Sequence, residues 1–213
     1  MTASEKTLGK VTVFITRRAP RGVELLLFEH PNAGIQIPAG TLEEGETPEK
    51  AALREAAEET GLTGLHVRRY LGYQDWRNPG HHFTLCPTKV YARPDPTSFD
   101  WAEFPRGVML RRQRQEAGFV QAVYEEGDRY PDAEYTTYSI LGWVLEACLC
   151  EVQRRYFFHL APDGPTPDDS WSVFTDYHTF RPFWADLADL PPIIAFQAAW
   201  LSHVRQGLNY RFE

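Results

Sequence analysis

Apolar and β-branched residues dominate two runs near the start of the chain, residues 10–16 and 23–29, and the Arg-Ala-Pro-Arg-Gly between them has turn composition. Such β-rich runs on either side of a turn predict paired strands, here a hairpin. Ile35 and Ile37 alternate through the segment GIQIPAG and predict a short half-buried strand. The pattern then changes. Thr47 offers a hydroxyl to cap a helix, Pro48 suits the first helical position because its missing N–H would be unpaired there anyway, and Gly61 suits the left-handed residue past the end. Together they predict a helix from about residue 48 to residue 60.

Beyond that helix, residues 65–73 (LHVRRYLGY) alternate again, and residues 154–160 (RRYFFHL) and 179–187 (TFRPFWADL) predict two strands around the loop APDGPTPDDS. Residues 192–204 put Ile193, Phe196, Trp200 and Val204 on one face, which predicts a closing amphipathic helix packed on a core. In the middle of the chain, residues 119–124 and 136–144 predict a further hairpin joined by the turn-rich EEGDRYPDAE.

The first helix carries the chemistry. Glu55, Glu58 and Glu59 are spaced i, i+3 and i+4 and project along one edge, while Leu53, Ala56 and Ala57 leave small apolar groups for packing. Acidic runs are usually solvated faces. Here the pairing argues otherwise: Glu46 has Lys50 four residues on and Arg54 has Glu58, but Glu55 and Glu59 face each other with no basic residue at helical spacing. Like charges so placed cost a helix about 0.2–0.5 kcal/mol per pair, a contribution whose sign a bound cation reverses. Oxygen-only carboxylate ligands select hard ions, Mg²⁺ or Mn²⁺. Gly40 and Gly45, at the entry, let the loop turn through conformations closed to residues with a side chain.

The segment from Gly40 to Leu62, GTLEEGETPEKAALREAAEETGL, resembles the box of the Nudix hydrolases, G-x5-E-x7-R-E-U-x-E-E-x-G-U, with U a bulky aliphatic residue in most members. Gly40, Glu46, Arg54, Glu55, Ala56, Glu58, Glu59, Gly61 and Leu62 fall on its fixed positions, Ala56 being smaller than usual. Charged residues recurring at fixed offsets across a loop and a helix make a specific motif. The resemblance implies an α/β fold, the Nudix αβα sandwich with a curved mixed sheet, in which residues 1–213 form a single domain with an insertion at about residues 74–150. It implies metal-dependent hydrolysis of a nucleoside diphosphate linked to another moiety. Glu55, Glu58 and Glu59 are then the metal-binding carboxylates, joined by the backbone carbonyl near Gly40, and Glu55 or Glu59 takes the proton from the attacking water. Arg54 and Glu46 hold the loop against the helix and aim those carboxylates. Elementary electrostatics agrees, since a multiply negative pyrophosphate approaches an acidic helix only through intervening cations.

Composition narrows the partners. A chain of 213 residues, 43% of them hydrophobic, buries a substantial core, and its net charge of -7 argues against a nucleic-acid scaffold. A small anionic substrate stays open because local metal charge outweighs the global balance. Cys86, Cys148 and Cys150 form no C-x-x-C motif, and an odd count gives no disulfide framework, so free thiols in a reducing compartment are expected. The start, MTASEKTLGKVTVFITRR, lacks the basic and then apolar regions of a signal peptide, and no run approaches the ~18 apolar residues of a membrane span. The expected location is cytoplasmic, with no membrane partner.

The expected insertion holds Trp76, Tyr124, Tyr130, Tyr135, Tyr138 and Trp143, and the basic run Arg111-Arg112-Gln113-Arg114. Such additions serve as lids that shape a pocket or as contacts in a homodimer. Each aromatic taken singly is expected to fill the insertion's own core, and the basic run to be a solvated helix face rather than an RNA-binding patch. The box fixes the reaction and leaves the substrate open. The Pro-Ala-Gly before the loop and Pro79 lean toward ADP-ribose or a nucleotide sugar, with nucleoside triphosphates or dinucleoside polyphosphates as the alternative. Asp163, Asp168, Asp169, Glu125, Glu126 and Glu134 are further candidate carboxylates. A nucleotide-sensing domain without catalysis is the other reading, although such domains typically lose box glutamates that this chain keeps. An isomerase of the isopentenyl diphosphate type would need Cys86 in the pocket, and its place within the insertion argues against it.

Overall fold

The structure, a computed structural model, describes residues 5–20, 22–129, 133–175 and 177–208. In chain order the elements are β1 (Thr7–Ala19), β2 (Gly22–His30), β3 (Gly34–Gln36), β4 (Ala39–Thr41), α1 (Pro48–Thr60) and β5 (Leu65–Trp76). Then follow β6 (His81–Thr84), β7 (Thr88–Tyr91), β8 (Asp100–Phe104), β9 (Met109–Glu116), β10 (Phe119–Gly127), β11 (Thr136–Leu145) and β12 (Leu149–Cys150). The last are β13 (Val152–Pro162), β14 (Val173–Thr175), β15 (His178–Asp186), α2 (Ala195–Ala198) and α3 (Leu201–Leu208). They fall into two units, one of residues 10–74 with 155–213 and one of residues 1–9 with 75–154.

In the first unit the terminal signals of α1 act as the sequence predicts. The Thr47 hydroxyl accepts from the Lys50 N–H at 3.4 Å, and Gly61, at φ 68°, donates its N–H to the Ala57 carbonyl at 2.8 Å. Ala51, Ala52 and Ala56 are small enough to bring the helix down onto Val11, Val13, Ile15, Leu26, Phe158 and Leu160. The predicted hairpin is β1 and β2, paired antiparallel. β4 pairs with β1 so that Gly40 lies opposite Val11 and Ala39 opposite Thr12, which sets the loop entering α1 beside the strand.

The main sheet runs in the order β14-β15-β2-β1-β13-β5. The contacts Thr12–Arg155, Phe14–Phe157 and Thr16–His159 advance together along both strands, so β1 and β13 are parallel while β1, β2 and β15 alternate in direction. The sheet is mixed. Its second face, with Phe14, Leu25, Leu27 and Phe157, packs on Trp200, Leu201 and Val204. Because successive residues of a strand point to opposite faces, β1 serves α1 with one set and α2 and α3 with the other. That is an αβα sandwich.

The single amphipathic helix expected over residues 192–204 is instead two short helices, α2 and α3, joined by three-residue-spaced bonds, Trp200 N–H to Gln197 and His203 N–H to Trp200. The reason is an orphan donor. The buried N–H of Ile37 needs an acceptor, and the Gln197 side chain supplies it at 2.6 Å, taking the inward place while Phe196 turns outward.

One buried polar pair in this unit makes stability pH-dependent. The Thr16 hydroxyl meets His159 Nε2 at 2.7 Å, and burial, reinforced by the charge of Arg68, lowers the His159 pKa from 6.5 to about 4. Between those values the unfolded chain takes up a proton that the native state refuses, so this contribution is complete above 6.5 and fades as pH falls toward 4. The loss is expected to reach roughly 2–3 kcal/mol in denaturant titrations and to be absent from His159→Gln. Parallel curves for the two proteins would rule it out.

The second unit is built on a seven-stranded sheet in the order β12-β6-β9-β10-β11-β7-β8. β10 and β11 form the predicted hairpin, from Phe119 opposite Leu145 to Gly127 opposite Thr136. One core gathers Val90, Phe104, Leu110, Val120, Ala122, Val144 and Leu149, and a smaller one gathers Tyr91, Phe119 and Trp143. Of the aromatics singled out from sequence, Trp143 is buried and Tyr124 half-buried, with its hydroxyl donating to Glu126. Trp76, Tyr135 and Tyr138 are exposed instead of filling a core, and Tyr130 lies outside the described residues.

The basic run is a strand, β9, where a helix face was expected. Its backbone is claimed on both sides, by β6 and by β10, while Arg114 lies over the Trp143 ring and donates to Gln121. Neighbouring strands override what the polar side chains alone suggest. All three cysteines are unbonded thiols, and among the described residues no helix is long and apolar enough to cross a membrane.

Candidate active site

Arg54 is the hub of the site. Its Nε and Nη2 donate to the two oxygens of Glu46 at 3.0 and 2.8 Å, its Nη1 donates to Glu55 at 2.9 Å and Glu58 at 3.0 Å, and Nη2 also reaches the Thr41 carbonyl at 3.0 Å. A planar guanidinium presents its donors in a fixed fork, so these contacts set the relative positions of the loop, β4 and α1. Glu46 adds a tie within the loop by accepting from the Glu43 N–H at 2.9 Å. The hydrogen bond from Arg54 is the main reason that the Glu46 carboxyl stays below its ordinary pKa, and the Glu46 bond in turn raises that of Arg54. For Glu55 the balance goes the other way. Burial raises its pKa, and Arg54 offsets that only in part.

Gly40 is a glycine because of Glu55. A Cβ at Gly40 would fall on the Glu55 carboxylate, so the absence of a side chain in β4 is what admits the carboxylate. Glu59 is aimed by the neighbouring residue, its Oε2 accepting the Ala39 N–H at 2.8 Å. Gly45 differs: at φ 75° it needs a left-handed backbone, and open space surrounds its missing side chain. Gly40→Ala is therefore expected to push Glu55 aside and lower turnover by roughly 10²-fold, whereas Gly45→Ala costs about 1 kcal/mol of backbone strain and keeps the rate. Steady-state rates and melting curves of the two variants check this. Equal rates would remove the role given to Gly40.

The structure thus brings Gly40, Glu46, Arg54, Glu55 and Glu58 into one network, with Glu59 beside it on Ala39. One expectation needs correcting: Glu55 does have a cationic partner, Arg54, at the adjacent position, because a long guanidinium arm reaches sideways where helical spacing alone finds none. Among the described residues no three carboxylate, imidazole or thiol groups stand ready as a metal shell. The donors nevertheless suit a hard divalent cation. They are all oxygens, Glu55 is a half-buried carboxylate whose burial outweighs the pull of Arg54, and one Arg54 nitrogen already spans Glu55 and Glu58 as a cation would.

Five of the six further carboxylates, all but Asp169, are engaged elsewhere. Asp163 meets His66 at 2.6 Å and Asp168 meets Arg17 at 3.3 Å, while in the other unit Glu125 pairs with Arg111, Glu126 with Tyr124 and Glu134 with Arg129. Several contributors escaped the sequence reading. Lys10 Nζ donates to the Thr41 hydroxyl at 2.6 Å, and its charge acts on Glu55. Arg155 Nη1 donates to the Val11 carbonyl at 3.1 Å and the Thr12 hydroxyl at 3.0 Å, its guanidinium lying 4.1 Å from the Trp200 ring centroid. Burial brings its pKa down to about 10, against an opposing pull from Glu59. A charged residue inside the strand-like run RRYFFHL was the available signal.

The family profile described as NUDIX domain matches residues 6–104, which span every residue of the Arg54 network. Over that span the chain is similar to a NUDIX domain. Over 73 residues it is 37% identical to the 8-oxo-dGTP diphosphatase of Escherichia coli (strain K12), covering 34% of this chain and 50% of that one. Over 65 residues it is 46% identical to the NAD-capped RNA hydrolase NudC of Haemophilus influenzae (strain PittEE), covering 28% of this chain and 24% of the relative. The chain thus spans half the length of the first relative and about a quarter of the second. Among solved structures, the C. elegans Ap4A hydrolase aligns over 96% of this chain and 98% of its own, at 14% identity and a TM-score of 0.45. The NUDIX domain of Shewanella oneidensis NrtR complexed with ADP ribose aligns over 96% and 90%, at 14% identity and 0.42.

Proposed function

We propose that this chain hydrolyses a pyrophosphate bond in a nucleoside diphosphate linked to another moiety. The observation that carries the reading is one guanidinium, Arg54, fixing Glu46 on the loop and Glu55 and Glu58 on the helix against a glycine whose missing Cβ admits a carboxylate. A surface salt-bridge cluster has no need of that packing. Glu55, Glu58, Glu59 and the Gly40 carbonyl would hold Mg²⁺ or Mn²⁺. When bound, the cation neutralises charge on the phosphate oxygens and acidifies a water. The chain's own part is orientation and proton transfer. Arg54 restrains Glu55, the Ala39 N–H restrains Glu59, and one of these two carboxylates takes the proton of the attacking water.

Within this reaction ADP-ribose or another nucleotide sugar is the favoured substrate, supported by the Pro-Ala-Gly that enters the loop and by Pro79. Nucleoside triphosphates and dinucleoside polyphosphates are the alternative. The purified protein with Mg²⁺ or Mn²⁺ is tested on ADP-ribose, a UDP-sugar, NAD, dGTP and diadenosine tetraphosphate, with phosphorus NMR to identify the products. Two phosphomonoesters from a nucleotide sugar are the expected result. Pyrophosphate release from dGTP alone moves the substrate to the triphosphates, and no turnover anywhere supports a nucleotide-sensing domain in place of an enzyme.

A further inference from the structure

Arg54 and Arg17, on the unit that carries the box, each meet a carboxylate, Glu46 at 2.8 Å and Glu24 at 2.7 Å. Arg155 of β13 is half-buried on the same unit and meets no carboxylate among the described residues. What it touches is neutral. Its Nη1 donates to the Val11 carbonyl at 3.1 Å and the Thr12 hydroxyl at 3.0 Å, and the guanidinium lies 4.1 Å from the centroid of the Trp200 ring. A cation withdrawn from water without a counter-ion is costly, and burial accordingly brings the Arg155 pKa down to about 10. Neutral acceptors and a ring face orient the guanidinium without supplying the negative charge it lacks.

That orientation leaves donors over. Both bonds to β1 come from Nη1, and among the described residues Nε and Nη2 have no acceptor. The position is close to the box. Thr12, which accepts from Arg155, lies opposite Ala39 on β4, and the Ala39 N–H is the one that Glu59 holds at 2.8 Å. From the guanidinium through Thr12 and Ala39 to the Glu59 carboxylate is a single strand pair, a span on the order of 10 Å. It is short enough for the Glu59 charge to pull the Arg155 pKa up against burial. Lys10, on the same side of β1 two residues before Thr12, adds a positive charge that acts on Glu55. Two linked phosphates bridge such a span, with one end at the box and the other at Arg155.

We infer, on the reading above that the ligand is a nucleoside diphosphate derivative, that Arg155 binds a phosphate of that ligand, with Thr12 and Trp200 holding its guanidinium in place. The box then faces one end of the diphosphate and Arg155 the other. Because the side chain is fixed before the ligand arrives, little of its freedom is lost on binding. A planar guanidinium also offers parallel N–H donors to phosphate oxygens, which an ammonium does not.

The test is calorimetric titration of the intact protein with ADP and with adenosine, both in Mg²⁺. The wild type is expected to bind ADP saturably and more tightly than adenosine. Arg155→Met keeps an unbranched stem over Trp200 but no donors, and should weaken ADP about tenfold or more while leaving adenosine affinity as in the wild type. Arg155→Lys keeps the charge without the fork and should recover only part of the loss. Should Arg155→Met not fold, Arg155→Lys carries the test, with a severalfold loss of ADP affinity expected. ADP bound no more tightly than adenosine by the wild type, or ADP affinity unchanged in the variants, overturns the assignment. So does an equal loss for adenosine, which would make Arg155 a packing residue. The hydrolase reading fails separately. ADP affinity lost in Arg155→Met while no compound is turned over keeps Arg155 as a phosphate ligand of a sensing domain, whereas turnover with KM and ADP affinity unaltered in Arg155→Met keeps the hydrolase and removes Arg155 from it.

Discussion

Glu59→Gln is expected to lower metal-dependent turnover by roughly 10²-fold or more while the domain stays folded, the scale at which a positioned proton acceptor contributes to a rate. Glutamine keeps the shape of glutamate and still presents an oxygen to the Ala39 N–H, which the native Oε2 accepts at 2.8 Å. What it removes is the charge and the basicity. A loss of rate with an unchanged melting curve therefore separates a chemical role from a structural one. Glu58→Gln is the internal comparison: the Glu58 side chain is 51% exposed and rests on Arg54, so its replacement should leave both the loop and Ala39 in place. Wild-type turnover by Glu59→Gln at saturating Mg²⁺ would remove Glu59 from the mechanism. Turnover lost in Glu55→Gln alone would pass the proton-accepting role to Glu55.

Local signals were the legible ones. Thr47, Pro48 and Gly61 marked the ends of α1 because each acts within a few residues of itself, and β-rich or alternating runs gave β1, β2, β5, β10, β11, β13 and β15 because the apolar residues that pack the core lie in the runs themselves. The elements misread are those that distant partners decide. β9 is polar along most of its length and becomes a strand because β6 and β10 claim its backbone. The closing helix breaks because the Ile37 N–H, far away in sequence, draws in Gln197. In the site, the offsets from Gly40 to Leu62 pointed to side chains that the fold gathers around Arg54 and to its pairing with Glu58, but not to its contact with Glu55. Arg54 reaches Glu55 at the next position, and Gly40 is explained only by the carboxylate packed on it. Lys10 and Arg155 come from strands outside the motif, and only the fold brings their charges near the carboxylates.

Arg54→Met is expected to be the most destabilising single change in the site, by roughly 2 kcal/mol, below the cost of about 3–5 kcal/mol for breaking a fully buried ion pair because this network is part-buried. The Arg54 side chain is 23% exposed, against 11% for Glu46 and 12% for Glu55, so methionine leaves two half-buried carboxylates without their guanidinium. Lysine restores the charge but not the fork that meets both oxygens of Glu46, and Arg54→Lys should recover only part of the loss. The origin of the effect can be isolated by a double-mutant cycle. Glu46→Gln in the Arg54→Met background removes one of the stranded charges, so the double variant should be more stable than the two single losses added together predict. Additive losses in denaturant titrations would mean that Arg54 and Glu46 act independently, and the loop would then need some other tether to α1. Activity gives the matching result. With the loop released from the helix, Arg54→Met should lose turnover even at temperatures where it remains folded, because the Gly40 backbone and the Glu55 carboxylate no longer share a fixed frame.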